Sequence, residues 1–246
     1  MTHMEKDTIG TVNIAVPPPE AEITEGLKRI YGYFPELDDE KRSAMEKLWP
    51  LYNEWNAKIN VISRKDISNL YTHHVLHSLA IAAFLRERFP DIYRNALVKG
   101  GEKLKILDFG TGGGFPGIPL GILFPGMDFT LCDSVGKKAH VAFAVAESLG
   151  MDNITVVQAR GEELRGSFDY IVSRAVTSLD MFLFWTKKKF NKGIIYLKGG
   201  DIVEEMTVAA QKNKMNLKNF SVTGIDKWFK EDYFSEKKVI FICKSN

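Results

Sequence analysis

Gly110, Gly112 and Gly114 alternate directly after a short apolar run, Leu104 to Phe109, and Gly117 follows three residues later. The pattern predicts a strand over 104–109 that breaks into a glycine-rich turn. A helix then starts on Pro116, where no amide hydrogen is needed. Strand, turn and helix N-terminus in this order make a pocket for an extended, nucleoside-bearing ligand. Dinucleotide enzymes and methyltransferases both use such turns, so the glycines alone do not choose between them. Asp108, two residues before the first glycine, does. A pyrophosphate close to this backbone repels a carboxylate, whereas S-adenosyl-L-methionine carries an ammonium and a sulfonium that an acid favours. A purely structural role for Asp108, as an acceptor for the turn's amides, suits either ligand.

A second half-site lies downstream. Asp133 ends the next apolar run, 23 residues after Gly110. A doubly wound fold places an acid there to accept from ribose hydroxyls; capping the following helix is the structural alternative. Ala159-Arg160-Gly161-Glu162-Glu163 closes the third run, where Gly161 lets backbone amides approach a bound base. The fourth run, Phe168 to Ser173, ends in Arg174, and the fifth ends in Lys198. Methylation of exocyclic amines often uses an Asn/Asp-Pro-Pro-aromatic run at the fourth strand's end, and cysteine-adduct chemistry needs a reactive thiol there. This sequence has neither at that position. A ring nitrogen such as guanine N7 carries a lone pair and no proton, so transfer to it needs alignment more than a general base. Arg174 and Lys198 are therefore candidates for holding phosphate or guanine edges, or else form structural ion pairs with Glu162 or Asp169.

The elements that must position these residues alternate in type. Strands are expected over 104–109, 127–132, 154–159, 168–173 and 193–198, with helices near 116–124, 136–149, 178–190 and 202–215. Such alternation implies a doubly wound α/β sheet of five parallel strands. Two further strands, 219–226 and 238–243, have no helix between them and are expected to pair antiparallel at the sheet edge. Upstream, Ala44, Leu48, Tyr52, Trp55 and Ile59 share one helix face, with Asp38 or Asp39 as cap, Trp55 as a core anchor and Pro50 as a kink or break. Two more helices are expected to start near Asp66 and Thr72. His74 and His77 share a face, but no further ligand set accompanies them, so no metal is expected. His74 is a candidate hydrogen-bonding residue at a pocket rim, and His73 and His77 read as helix-surface residues. The expected division is a mobile or loosely packed extension over 1–35 containing Pro17-Pro18-Pro19, a helical segment over 36–99 packed on the core, and a catalytic domain over 100–246 that forms a single compact unit with 36–99.

Composition bounds the class. With 246 residues, 45% of them hydrophobic, the chain can bury a sizeable core. Cys132 and Cys243 sit in apolar runs and read as free thiols of a reducing compartment. No stretch reads as a signal peptide or membrane span, so a cytoplasmic protein is expected. Charge is uneven: residues 181–246 hold 13 basic and 7 acidic side chains, an excess that could steer a polyanion.

Several stretches together resemble the bacterial small-subunit (16S) rRNA guanine-N7 methyltransferases, once called glucose-inhibited division protein B. They are Leu51-Tyr52-Asn53-Glu54-Trp55-Asn56-Ala57-Lys58-Ile59-Asn60, His74-Val75-Leu76-His77-Ser78-Leu79 and Leu107 to Pro119 with its Gly-Phe-Pro-Gly. Leu131-Cys132-Asp133-Ser134-Val135-Gly136-Lys137-Lys138, Ser173-Arg174-Ala175 and Leu197-Lys198-Gly199 complete the set. The resemblance implies a Rossmann-like class I methyltransferase fold with an N-terminal helical extension, S-adenosyl-L-methionine as cofactor, and a guanine in the helix 18 loop of 16S rRNA as substrate. Gly110, Phe115, Gly161, Glu162 and Arg174 would line the cofactor site. Joined to the residue-level reading, the candidate cofactor set is Asp108, Gly110, Gly112, Gly114, Phe115, Asp133, Gly161, Glu162 and Arg174, with Arg174, Lys198 and His74 as candidate substrate-positioning groups. The expected partner is 16S rRNA or the 30S subunit, met by a monomer. The family usually has a basic residue before the histidine and an aspartate three after it, where this chain has His73 and His77. A small-molecule methyltransferase and a non-catalytic ribosome-assembly factor with a cofactor pocket are the alternatives.

Overall fold

A computed structural model describes residues 20–101, 103–174 and 176–244. Seven strands form one sheet: β1 (Leu104–Phe109), β2 (Met127–Asp133), β3 (Ile154–Gln158), β4 (Phe168–Arg174), β5 (Phe190–Gly199), β6 (Phe220–Gly224) and β7 (Lys237–Cys243). Their order is β3-β2-β1-β4-β5-β7-β6, with the first five mutually parallel and β7 antiparallel between β5 and β6. The doubly wound expectation is met, including the antiparallel pair. The sequence reading did not anticipate that the last strand inserts beside β5. The strand order reverses between β1 and β4, and a ligand crevice opens at the carboxyl ends of strands at such a switch point.

Apolar residues on both sides of the central strands require cover on both sides. One layer holds α2 (Asp39–Lys58), α3 (His77–Arg88), α4 (Pro90–Ala96), α5 (Gly117–Leu123) and α6 (Gly136–Ser148), packed on Ile106, Phe129, Leu131, Val172 and Ile195. The other holds α7 (Leu179–Thr186) and α8 (Val203–Asn213), packed on Leu107, Phe109, Ile171, Ile194 and Tyr196.

Three upstream expectations need correction. Residues 20–35 are not loosely packed: Glu20–Tyr33 is a helix, α1, with Gly26 and Ile30 buried, and Phe34 after it has no exposed surface. The triple proline lies outside the described residues. Pro50 does not break α2, which runs unbroken for 20 residues. A mid-helix proline removes the N–H that would bond the carbonyl four residues back. Here the Tyr71 hydroxyl supplies the missing donor, lying 3.2 Å from the Glu46 carbonyl and 3.0 Å from that of Met45. The third concerns residues 67–76. A single 3₁₀ turn (Ile67–Asn69) leads into a π-helical stretch, Leu70–Leu76, which runs on into α3. The wider turn puts His73 and His74 side by side toward Asp66, and His77 is buried, not on the surface.

Candidate active site

The glycine turn is tied down from below. Asp108 has no exposed surface, and its Oδ2 accepts from the Thr111 hydroxyl at 2.6 Å and from the Gly117 amide at 2.8 Å. Gly110 and Thr111 both donate their amides to the Cys132 carbonyl, at 2.8 and 3.0 Å, which binds the turn to the end of β2. From the helical layer, the Tyr52 hydroxyl donates to the Gly113 carbonyl at 2.7 Å, with its ring against Phe115. Gly110 adopts φ +72°, and a Cβ there would lie 2.4 Å from Val176. Only glycine suits this position. The helix starts at Gly117 with Pro116 as its cap, one residue later than expected.

Above the turn opens a cavity of about 650 Å³, a size typical of ligand pockets. Gly110, Gly112, Phe115, Asp133, Gly161, Glu162 and Arg174, all expected at the ligand, line it. Asp108 and Gly114 are absent from its wall. Asp108 is a strut for the turn, the structural alternative weighed above, and its carboxyl is pushed up to about 7: burial raises it more than Thr111, Gly117 and the Arg174 charge lower it. Asp133 accepts from the Gly112 and Val135 amides, each at 2.8 Å. Each oxygen keeps a further lone pair for hydroxyl donors at the cavity wall. A Cβ at Gly161 would lie 2.2 Å from the Phe109 ring, so the loop passes directly over that ring. Trp185 stacks on Phe109 with centroids 6.2 Å apart, and it also lines the cavity. The sequence reading missed Val61, Lys138 and Trp185 as wall residues; each comes from an element whose packing position only the tertiary structure sets. Cys132 is no nucleophile: burial pushes its thiol up to about 11, and it donates to the Ala159 carbonyl.

Arg174 is one of three cations of the wall, with Lys138 and Arg160. Nη1 donates to the His73 carbonyl at 3.1 Å, Nη2 lies 3.0 Å from His74 Nδ1, and the guanidinium stands 5.6 Å from the Phe115 ring centroid. A guanidinium only donates, so His74 Nδ1 is the acceptor and the ring proton sits on Nε2. Nε2 in turn donates to Asp66 Oδ2 at 2.8 Å. Asp66, His74 and Arg174 thus form one chain, with His74 a layer behind the cavity and not at its rim. Burial pulls His74 below its ordinary range, more than Asp66 raises it, which keeps the ring neutral as this tautomer requires. Asp66 also takes the His73 Nδ1 at 2.5 Å; burial raises its carboxyl, but the two histidine hydrogen bonds bring it down to about 2. The acid that the family pattern places three residues after the histidine is replaced by His77. In this chain Asp66, from the preceding turn, stands beside His74. Of Arg174's five N–H donors, two have protein partners. The half-buried side chain lines the cavity.

Lys198, the other expected cation, is not brought to the cavity. It pairs with Glu205, whose Oε1 also accepts from the Leu179 amide at 2.8 Å. It is therefore an ion pair joining β5 to α8 and the start of α7. Asp169, one of its expected partners, is taken by Lys192.

The sequence pattern of one family, rRNA small subunit methyltransferase G, matches residues 41–231. The Ribosomal RNA small subunit methyltransferase G of Flavobacterium psychrophilum is 45% identical over 224 residues, which cover 88% of this chain and 97% of the relative. Its counterpart in Bacteroides fragilis is 42% identical over 232 residues, covering 91% and 95%. Among solved structures, magnesium protoporphyrin IX methyltransferase from Synechocystis with bound SAM aligns with a TM-score of 0.54. It is 14% identical and covers 89% of this chain and 97% of that one, a likeness of fold. The glycine turn strutted by Asp108, the acid at the end of β2 and the matched sequence agree: this chain belongs to the rRNA small subunit methyltransferase G family.

Proposed function

We propose that the protein methylates N7 of a guanine in 16S rRNA, in the helix 18 loop that the family resemblance implies, and does so in the cytoplasm. The observation that carries this reading is the cavity wall. It presents a half-buried guanidinium with two of its N–H donors engaged and an anchored carboxylate, and the described wall offers no histidine base and no reactive thiol. The residues present fit S-adenosylmethionine. Asp133 has lone pairs for ribose hydroxyls, and the Gly161 loop with Phe109 and Trp185 makes a flat apolar surface for a base. When bound, the cofactor supplies a methyl group on a positively charged sulfur.

The protein's contribution is orientation. N7 attacks with its own lone pair and loses no proton, so the electron pair of the sulfur–carbon bond stays on sulfur and the guanine ring takes the positive charge. No base has to be poised near neutral pH, and holding the reactants in line supplies most of the acceleration. Arg174 gives its remaining N–H groups to a carboxylate or carbonyl acceptor in the pocket. Phe115, Tyr52 and Val61 pack the turn and limit water on that side. The test is to incubate the full-length protein with 30S subunits, or 16S rRNA, and methyl-labelled S-adenosylmethionine, then digest the RNA to nucleosides for mass spectrometry. Label is expected in 7-methylguanosine from the helix 18 fragment; label in another nucleoside, or none, overturns the proposal.

A further inference from the structure

Net charge points to the C-terminal third, but ion pairing points elsewhere. There Lys192, Lys198, Lys212 and Lys227 pair with carboxylates, and Lys189, Lys230 and Lys238 donate to main-chain carbonyls. Seven of the 13 basic side chains counted there are thus engaged within the protein. Among the side chains with no ion-pair or hydrogen-bond partner in the described residues are Arg64, Lys65, Lys137, Lys138 and Arg160.

Two of the five stand on the cavity wall, and the other three are close along the chain to residues that line it. Lys138 and Arg160 line the cavity. Arg64 and Lys65 occupy an exposed turn fixed at both ends on the site. At one end Val61 lines the cavity, held with Ile62 by the Asn56 side chain, whose Oδ1 accepts both amides at 2.9 Å. At the other, Asp66 holds His74 against Arg174. Arg64 is three residues from Val61, no more than about 11 Å of chain even fully extended. Lys137 is exposed beside Lys138, in the first turn of α6. Two cations in the first turn of a helix, where no acidic side chain stands, oppose the helix dipole at a cost to the free protein. A bound polyanion removes that cost. The carboxylates of the wall, Asp133 and Glu162, lie among the residues assigned to the nucleoside.

We propose that Arg64, Lys65, Lys137, Lys138 and Arg160 form a phosphate-binding rim at the cavity mouth, which seats the RNA backbone on either side of the target base. The proposal rests on the rRNA-methyltransferase reading above and assigns its RNA-docking face. Phosphate contacts of this kind set affinity and its salt dependence.

The test compares two double variants of the full chain, R64A/K65A at the rim and K214A/K218A away from it. Lys214 and Lys218 are exposed, free of ion pairs, and lie at the far end of α8 and just before β6. The Michaelis constant for 30S subunits or 16S rRNA and the direct binding of a helix 18 RNA fragment are measured across a potassium chloride series. Affinity for S-adenosylmethionine is measured by calorimetry. R64A/K65A is expected to weaken RNA binding about tenfold or more and to flatten the log–log salt slope by roughly 1.4 to 1.8, with cofactor affinity unchanged. K214A/K218A is expected to match the wild type. An unaltered salt slope in R64A/K65A, or an equal loss in K214A/K218A, overturns the proposal. Should the wild type bind RNA but methylate none, the methyltransferase reading fails while the binding slopes still decide the rim.

Discussion

Replacing Asp108 by asparagine is expected to stabilise the protein at neutral and higher pH, although Asp108 sits under the most constrained turn of the fold. Its carboxyl is fully buried, Oδ2 takes two hydrogen bonds, and Oδ1 has no partner. Burial holds the group at about 7, against an ordinary 3.8. Below pH 3.8 both folded and unfolded chains hold the proton, and the group costs nothing. From there to about 7 only the unfolded chain releases it, so the wild type loses stability as pH rises. At roughly 1.4 kcal/mol per pH unit the accumulated cost is about 4 kcal/mol above pH 7. Asparagine keeps an acceptor for Thr111 and Gly117 and places an N–H where the protonated acid would place its O–H. It therefore mimics the neutral form at every pH. Urea unfolding of both proteins from pH 4 to 9 is the assay. The difference in favour of D108N should rise from near zero at pH 4 to about 4 kcal/mol above pH 8. With a denaturant slope of about 3 kcal/mol/M, that is a midpoint shift of more than about 1 M. Affinity for S-adenosylmethionine should stay within about threefold. If Asp108 instead faces the bound cation as an ionised group, D108N loses cofactor affinity tenfold or more and the stability difference is flat or reversed. That result would refute the strut assignment.

Other perturbations probe separate parts of the site. Gly161→Ala drives a methyl group into the Phe109 ring, which Phe182 and Trp185 hold from behind. An overpacking cost of about 1–3 kcal/mol should appear in calorimetry as a loss of cofactor affinity of about tenfold or more. Asp66→Ala leaves the His74 Nε2–H without its acceptor and frees the Arg174 side chain; turnover with saturating RNA should fall about 10- to 100-fold, and Asp66→Asn, which keeps an acceptor, should recover most of it. Tyr71→Phe removes the donor that serves the carbonyls beside Pro50 and should cost about 1–2 kcal/mol in denaturant unfolding; in a Pro50→Ala background the cost should shrink, because the restored amide serves Glu46.

The sheet was legible because its signals are local. Each strand run is bounded by glycine, proline or a charged turn, and the structure places all seven within a few residues of the expected spans. Site residues at strand ends, Asp133 and Arg174, followed from the same logic, since a strand's carboxyl end in this topology faces the crevice. What failed was whatever depends on a distant partner. Pro50 reads as a kink or a break, and the break is not legible as avoided because the donor that serves the helix there, Tyr71, lies 21 residues away. Lys198 reads as a cavity cation because Glu205 cannot be placed from the sequence. Asp108 is a local case that reads either as a ligand acid or as a strut, and its Oδ2 is taken by Thr111 and Gly117, three and nine residues on.

The histidine cluster shows the same distinction acting on function. On an ideal α-helix His73 and His74 diverge by about 100°, and no sequence rule aims both at Asp66. The π-helical stretch widens the turn, and both imidazoles meet one carboxylate. That carboxylate fixes the His74 tautomer, and the tautomer leaves a lone pair for Arg174. The guanidinium reaches the cavity wall as a cation with no carboxylate in direct contact, the nearest acid of its chain being one imidazole away. Its charge is thus balanced with no direct carboxylate partner among the described residues. A direct Arg174–carboxylate pair would satisfy burial equally well and leave fewer of the guanidinium's donors for a ligand. The local departure from α-helical geometry is therefore part of how the site keeps a half-buried arginine available.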